Sequence, residues 1–251
     1  MRFNITSRDR RSELRLVIDM IMVSLLVVFA LWWAWKQFLA SPPYVNPERY
    51  PIRGIDVSIH NGDIDFDSVA SENIKFVFVK ASEGIDHKDS KFKTNFDKAK
   101  NAGLKVGAYH YFRFDKDGVK QAHNFLNAID KRKLDLELVI DIEKAGNAEG
   151  IDISLVKQRL HDMVDYLNLL GHRVILYTNQ DGYYDYIAEE FQGTQLWICS
   201  FNRVPINADW TFWQYDHHGR VKGVKGDVDF NAYVGSVKDW EGLFSNVEVK
   251  K

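Results

Sequence analysis

The stretch Leu138-Val139-Ile140-Asp141-Ile142-Glu143 sets two acids, two positions apart, among four apolar residues. An apolar run this short, followed by a loop with Gly146 and Gly150, predicts a buried strand rather than a helix. Side chains alternate faces along a strand, so Asp141 and Glu143 are expected to project the same way, with Cα atoms roughly 7 Å apart. Carboxylates sharing one face disfavour each other's ionisation, and one is expected to keep its proton above the usual carboxylate range. Most D-x-E triplets are solvated or paired with Lys or Arg. This one directly follows Leu-Val-Ile, where solvated charge is out of place, and so points to acid chemistry.

Outward from this stretch, short apolar runs recur at 52–59, 76–80, 106–112, 174–178, 196–199, 212–215 and 228–230. Between the early runs lie residues at helical spacing: Phe92, Phe96 and Ala99; Val119, Ala122, Phe125, Leu126 and Ile129; Leu155, Leu160, Met163, Val164, Leu167 and Leu170. Gly103 and Gly171 fall where helices end, each just before the next apolar run. This β-α-β-α order predicts an α/β fold with a mainly parallel sheet and helices outside. Eight strand candidates suggest closure. The last three lie too close together for full helices between them, so an irregular (β/α) barrel with reduced helices in its C-terminal third is expected over residues 52–245. No internal repeat is visible, and 246–251 reads as a polar tail.

Before the barrel the chain changes character. Residues 1–15 carry five arginines against two acids, and no charge occurs from Met20 to Trp35. Residues 16–39 approach the ~20 apolar residues that span a bilayer, with Asp19 near one end and Trp32, Trp33 and Trp35 at the other. A secretory signal is the competing reading, but the run is long for one and lacks a small-x-small site before Ser41. The expectation is one uncleaved transmembrane helix, with a cytoplasmic N-terminus and the barrel on the outer side. Residues 40–51, with Pro42, Pro43, Pro47 and Pro51, read as an extended spacer reaching at most about 36 Å.

Thirty-three basic residues against 35 acidic ones give no reason to expect a nucleic-acid partner. The single cysteine, Cys199, rules out an internal disulfide and is expected to be a buried, inert thiol. Aromatic residues make up 14% of the chain, which suits a large core, a sugar-binding surface, or both.

Chemistry in such barrels gathers at the carboxyl ends of the strands. The acids expected there are Asp56 in Gly54-Ile55-Asp56-Val57-Ser58, the pair Asp141 and Glu143, and Asp229 in Val228-Asp229-Phe230-Asn231. The first and last strands adjoin in a closed barrel, bringing Asp56 and Asp229 together. Singly, either could cap a turn beside Ser58 or Asn231. Four carboxylates at one end are costly to bury and read collectively as function. Tyr109, Tyr111, Tyr177, Trp197 and Trp213 sit in the same strands, each either a core residue or a face for sugar C–H groups. His110 is expected to be a satisfied strand histidine, since no second histidine lies at metal spacing.

Gly54-Ile-Asp-Val-Ser-Ile-His-Asn-Gly62, Lys80-Ala-Ser-Glu-Gly84, Gly107-Ala-Tyr-His-Tyr-Phe112, the acids at 141 and 143, Tyr177-Thr-Asn179, Leu196-Trp-Ile198, Trp213-Gln-Tyr215 and Val228-Asp-Phe-Asn231 occur in one order. Together they resemble the glycoside hydrolase family 25 lysozymes, the Chalaropsis-type muramidases. The resemblance implies an irregular α/β barrel that cuts the β-1,4 bond between N-acetylmuramic acid and N-acetylglucosamine in peptidoglycan. It implies Glu143 as general acid and Asp141 beside the anomeric carbon, with Asp56 and Asp229 as supporting carboxylates. The reaction would proceed through the substrate's acetamido group or an attacking water. No cofactor and no obligate protein partner is called for. Many members carry cell-wall-binding repeats, whereas here a membrane anchor is expected. Two alternatives stay open: a hydrolase using these acids to hold Mg²⁺ or Ca²⁺, and a catalytically silent glycan-binding protein.

Overall fold

The computed structural model describes residues 7–40, 45–205 and 209–245. The sequence-defined segments 1–6, 41–44 and 246–251 lie outside the described residues. The chain divides into two compact units, residues 1–41 and 42–251. The described residues of the first form a single helix, α1 (Ser7–Ala40). Its stretch Arg15–Trp35 has mean hydropathy 2.4 and none of it is buried. At 1.5 Å per residue those 21 residues extend about 31 Å, the thickness of a bilayer's hydrocarbon core.

The second unit follows the expected alternation: β1 (Arg53–Val57), α2 (Phe66–Ser71), β2 (Ile74–Glu83), β3 (His87–Lys88), α3 (Phe92–Asn101), β4 (Lys105–Tyr111), α4 (Gly118–Ile129), β5 (Leu138–Asp141), α5 (Ile153–Leu169) and β6 (Val174–Asn179). There follow α6 (Gln180–Gly182), running into a π-helical turn (Tyr183–Ile187), then β7 (Gln195–Cys199), β8 (Phe212–Gly219), β9 (Val228–Tyr233) and α7 (Val237–Ser245). Asp65, Asp117 and Asp152 cap α2, α4 and α5 by accepting backbone N–H bonds. Gly103 and Gly171 take left-handed φ of 80° and 83° just past α3 and α5. Both glycines stand where expected.

Strand order β1-β2-β4-β5-β6-β7-β8-β9 closes on itself through β1–β9, making an eight-stranded barrel with β3 as a hairpin flap on β2. Successive pairs are parallel except β8–β9 and β1–β9. The reversal of β9 corrects one expectation. Asp229 lies at the start of its strand, and only because β9 runs backwards does it reach the end where β1 presents Asp56. Among the described residues no helix separates β7, β8 and β9, as the short spacing required. The end of the segment read as an extended spacer touches the barrel. Tyr50 is buried against Trp210 and Trp213 and Val45 packs on the core, while residues 46–49 stay exposed.

Strand alternation sorts side chains into two layers. Outward residues such as Ile55, Val77, Val79, Ile140 and Leu176 pack under the helices. Inward residues are mostly aromatic: Phe76, Phe78, Trp197, Phe212 and Tyr233, with Trp240 from α7 on Phe76 and Tyr233. Phe78 stacks on Trp197 at 4.5 Å between ring centroids. Such large rings fit because Gly54 and Gly107 face them. A Cβ on Gly107 would stand 2.4 Å from the Phe78 ring, and one on Gly54 equally close to Phe76. Gly107→Ala is therefore expected to destabilise the barrel by about 1–3 kcal/mol through overpacking, read as a lower midpoint in thermal melts. An unchanged midpoint would show that the interior has slack.

Candidate active site

With one end of the barrel filled by aromatic rings, the inward positions at the other end are polar, and there a cavity of ≈ 370 Å³ opens. Asp56, Asp141, Glu143 and Asp229 all line it. Asp56 and Asp229 are register partners across β1 and β9. Asp141 ends β5, and Glu143 lies two residues past the strand, on the loop.

That loop is fastened on several sides. Asn147 donates through Nδ2 to the Phe112 oxygen at 2.9 Å and to the Glu143 oxygen at 2.8 Å, while its Oδ1 accepts from the Phe114 N–H at 2.9 Å. The Tyr111 hydroxyl donates to the Ala145 oxygen, and Lys144 pairs with Asp185. The Asn147 bonds tie the acid-bearing loop to the segment that follows β4.

A hydrogen-bonded chain crosses the cavity floor. The Tyr177 hydroxyl lies 3.5 Å from Glu143 Oε1 and donates to Gln214 Oε1 at 2.7 Å. Gln214 Nε2 donates to Asp56 Oδ2 at 2.9 Å, and Asn231 Nδ2 donates to the same oxygen at 2.8 Å. The Trp197 indole N–H holds Asn231 Oδ1 at 2.8 Å. Gln214 and Asn231 were not singled out as site residues from sequence. Their signal was parity: Gln214 alternates with the inward Phe212 on β8, and Asn231 with the inward Asp229 and Tyr233 on β9.

Burial governs the protonation of all four acids. Asp56 and Asp229 are both pushed up, first by burial, and they share a hydrogen bond; the Asp56 charge raises Asp229 further, whereas the Asn231 and Gln214 amides hold Asp56 lower. Asp229 is thus the protonated member of that pair. Glu143 is raised by burial and then by the Asp56 charge. Asp141 is raised well above the usual carboxylate range by burial and then by Glu143. Asp141 is 7% exposed and its Oδ1 has no hydrogen-bond partner among the described residues, so it is the less solvated of the D-x-E pair.

Tyr109, Tyr111, Tyr177 and Trp197 all line the cavity, and Lys80 reaches it from β2, bonded to Glu83 at 2.8 Å and lying 4.9 Å above the Tyr111 ring. Trp213 does not. It points outward from β8, fully buried between Tyr50, Trp210 and Tyr215, so its place as a sugar-binding residue is withdrawn. His110 also faces outward, bonded to Ser82 and Gln121, and burial lowers its pKa to about 4. Cys199 is only partly covered and lines the cavity, but burial pushes its thiol up to about 12, which leaves it a poor nucleophile.

The Glycosyl hydrolases family 25 sequence model matches residues 55–224. The chain belongs to glycosyl hydrolase family 25. A family 25 glycosyl hydrolase from Bacillus anthracis superposes with a TM-score of 0.74 at 33% identity, over 80% of this chain and 96% of that one. A bacterial lysozyme from Streptomyces coelicolor gives 0.68 at 32%, over 78% and 97%. The autolytic lysozyme of Clostridium acetobutylicum is 33% identical over 184 residues, 72% of this chain and 56% of that protein. This family 25 chain thus spans about half the length of that relative. The irregular barrel expected from sequence is the family's fold.

Proposed function

We propose that this family 25 chain is a peptidoglycan muramidase, hydrolysing the β-1,4 bond between N-acetylmuramic acid and N-acetylglucosamine. The observation that carries the reading is the convergence of four carboxylates, all shifted upward, in one tyrosine- and tryptophan-lined cavity. The lysozymes among its relatives support it. Glu143 is the general acid that protonates the leaving oxygen. Asp141 stabilises the positive charge that develops at the anomeric carbon. Its unpartnered Oδ1 is suited to accept an acetamido N–H, and that bond would lower the Asp141 pKa while the resulting charge keeps Glu143 protonated. Asp56, with Asp229 holding the shared proton, supplies the fixed negative charge behind them.

A resident cation is disfavoured by donor chemistry, because two amide N–H groups already point at Asp56 Oδ2. The intact acid pair equally disfavours a silent binding protein. The direct test is digestion of purified peptidoglycan by residues 42–251. Muramic acid at the new reducing end supports the reading, and glucosamine there overturns its bond assignment.

Activity should fall on the alkaline side as pH rises through the raised pKa of Glu143, since only the protonated form donates. The Asp56 charge contributes to that elevation. Asp56→Asn keeps an oxygen for Gln214 and Asn231 but removes the charge, so the alkaline limb of kcat/KM is expected to move to lower pH. An unmoved limb would separate Asp56 from the acid.

Residues 16–39 are read as a membrane anchor, with residues 1–15 cytoplasmic and the barrel outside. The hydropathy and length of Arg15–Trp35 support a spanning helix, and the five arginines in residues 1–15 support the orientation. The tether would raise the enzyme's local concentration at the wall. Equal wall cleavage in cells by the released barrel would remove the tether's role.

A further inference from the structure

The acids divide the mouth of the barrel into two arcs. Asp56 and Asp229 stand on adjoining β1 and β9, and Asp141 and Glu143 stand across the ring at β5. One arc, β2 and β4, presents Lys80, Tyr109 and Tyr111; the other, β6 to β8, presents Tyr177 and, just beyond β7 and near the end of β8, Phe201 and His217. A strand cut at an internal bond must place a sugar ring on each side of the acids. The tyrosine arc offers an evident partner for one ring.

We propose that Phe201 and His217 form a second sugar subsite, an angled aromatic wall for one pyranose ring of the glycan on the β7–β8 side of the cleavage point. It rests on the muramidase reading above and assigns the wall of the cavity that the acids leave unexplained. The two rings lie 4.1 Å apart at 45°, both lining the cavity, with His217 exposed and Phe201 half-covered. Sugar rings present C–H faces that pack on such surfaces.

The aromatic wall is built before any ligand arrives, which limits the ordering cost of binding. The Ser200 N–H donates to the Gln214 oxygen at 3.0 Å, and the Trp213 indole donates to the Ser200 oxygen at 2.9 Å. Arg203 reaches back to Gln180 Oε1 at 2.7 Å. On the other side the β8–β9 register slips around Asp216, and bulges of this kind re-aim side chains. His218 is tied to Asp227 at 3.0 Å, fixing the strand beside His217. Trp213 thus serves the site from behind, by holding the loop that carries Phe201.

The test is calorimetric titration of the full chain in detergent, on a Glu143→Gln background, with a tetrasaccharide of alternating N-acetylglucosamine and N-acetylmuramic acid. Phe201→Ala is expected to weaken binding about five- to tenfold, and Phe201→Trp to retain it. In the active chain the same Phe201→Ala change should raise KM by a similar factor with kcat within about twofold. His217→Ala, at an exposed position, provides a second reading if Phe201→Ala lowers the melting temperature. Unchanged tetrasaccharide affinity in both alanine variants, or no affinity in the parent, overturns the subsite. Phe201-dependent binding by a parent that never cleaves glycan would instead keep the subsite and remove the hydrolase reading.

Discussion

Glu143→Gln is expected to lower glycan hydrolysis by about 10³-fold or more while leaving the fold intact. The amide has the carboxyl's shape but no transferable proton at neutral pH, so the leaving oxygen departs as an anion. Because Asn147 bonds the backbone oxygen of Glu143 rather than its carboxyl, the loop geometry does not depend on the charge. The loss should therefore fall on kcat, with KM changed little. Replacing the natural leaving sugar by an aryl group that departs without protonation should restore much of the rate. Initial rates on both substrates, with thermal melts as control, check this. A variant that cleaves the natural glycan within about tenfold of the parent would mean that another group donates the proton.

Asp141→Asn is expected to cost about 10²- to 10³-fold in kcat and, at neutral pH, to stabilise the protein. The first effect follows from losing the carboxylate that, once an acetamido N–H lowers its pKa, carries negative charge beside the developing cation. The second follows from linkage. The folded-state pKa of Asp141 lies well above its ordinary 3.8, so the unfolded chain releases this proton at a pH where the folded chain still holds it. The group accordingly favours unfolding as pH climbs from about 4 through its raised value, and that penalty is absent below the unfolded pKa. Removing the ionisable group should raise the melting point by a few degrees near pH 7, corresponding to about 1 kcal/mol, and by nothing near pH 3. Melts at the two pH values decide it. A variant less stable at neutral pH would show that the Asp141 carboxylate is well solvated in the fold, contrary to its burial.

These effects trace to one compromise. A sheet end filled with Leu, Val or Phe would hold the barrel better than Asp56, Asp141, Glu143 and Asp229 do, and the protein retains the acids at the expense of stability. The network through Tyr177, Gln214, Asn231 and Trp197 offsets part of that cost by giving Asp56 two amide donors. Asp141 receives no such help at Oδ1. It is the position where the proposed substrate bond has most to contribute.

The alternation of short apolar runs with amphipathic stretches made the barrel legible, because strand and helix periods are local properties of the chain. The acid pair was legible for the same reason: two charges at the end of a buried strand contradict their own surroundings. Trp213 was misplaced because the sequence around it, Phe212-Trp213-Gln214-Tyr215, is bulky throughout. Ring size alone does not say which alternate pair faces the cavity. Gln214 went unassigned in the same stretch, although its polarity was the clue to the inward face. Tyr50 was assigned to the spacer because its partners, Trp210 and Trp213, lie far along the chain.

The sequence by itself determined the element order, the α/β class, the apolar N-terminal helix and the four acids, since each depends on residues within a few positions of one another. Only the tertiary structure decided that β9 runs backwards to bring Asp229 beside Asp56, that Asp141 is the more deeply buried of its pair, and that Phe201 meets His217 at the rim. Direction, depth and meeting across the ring are properties of closure. Closure is set by how the whole set of inward rings and facing glycines fills the barrel, which no single stretch contains.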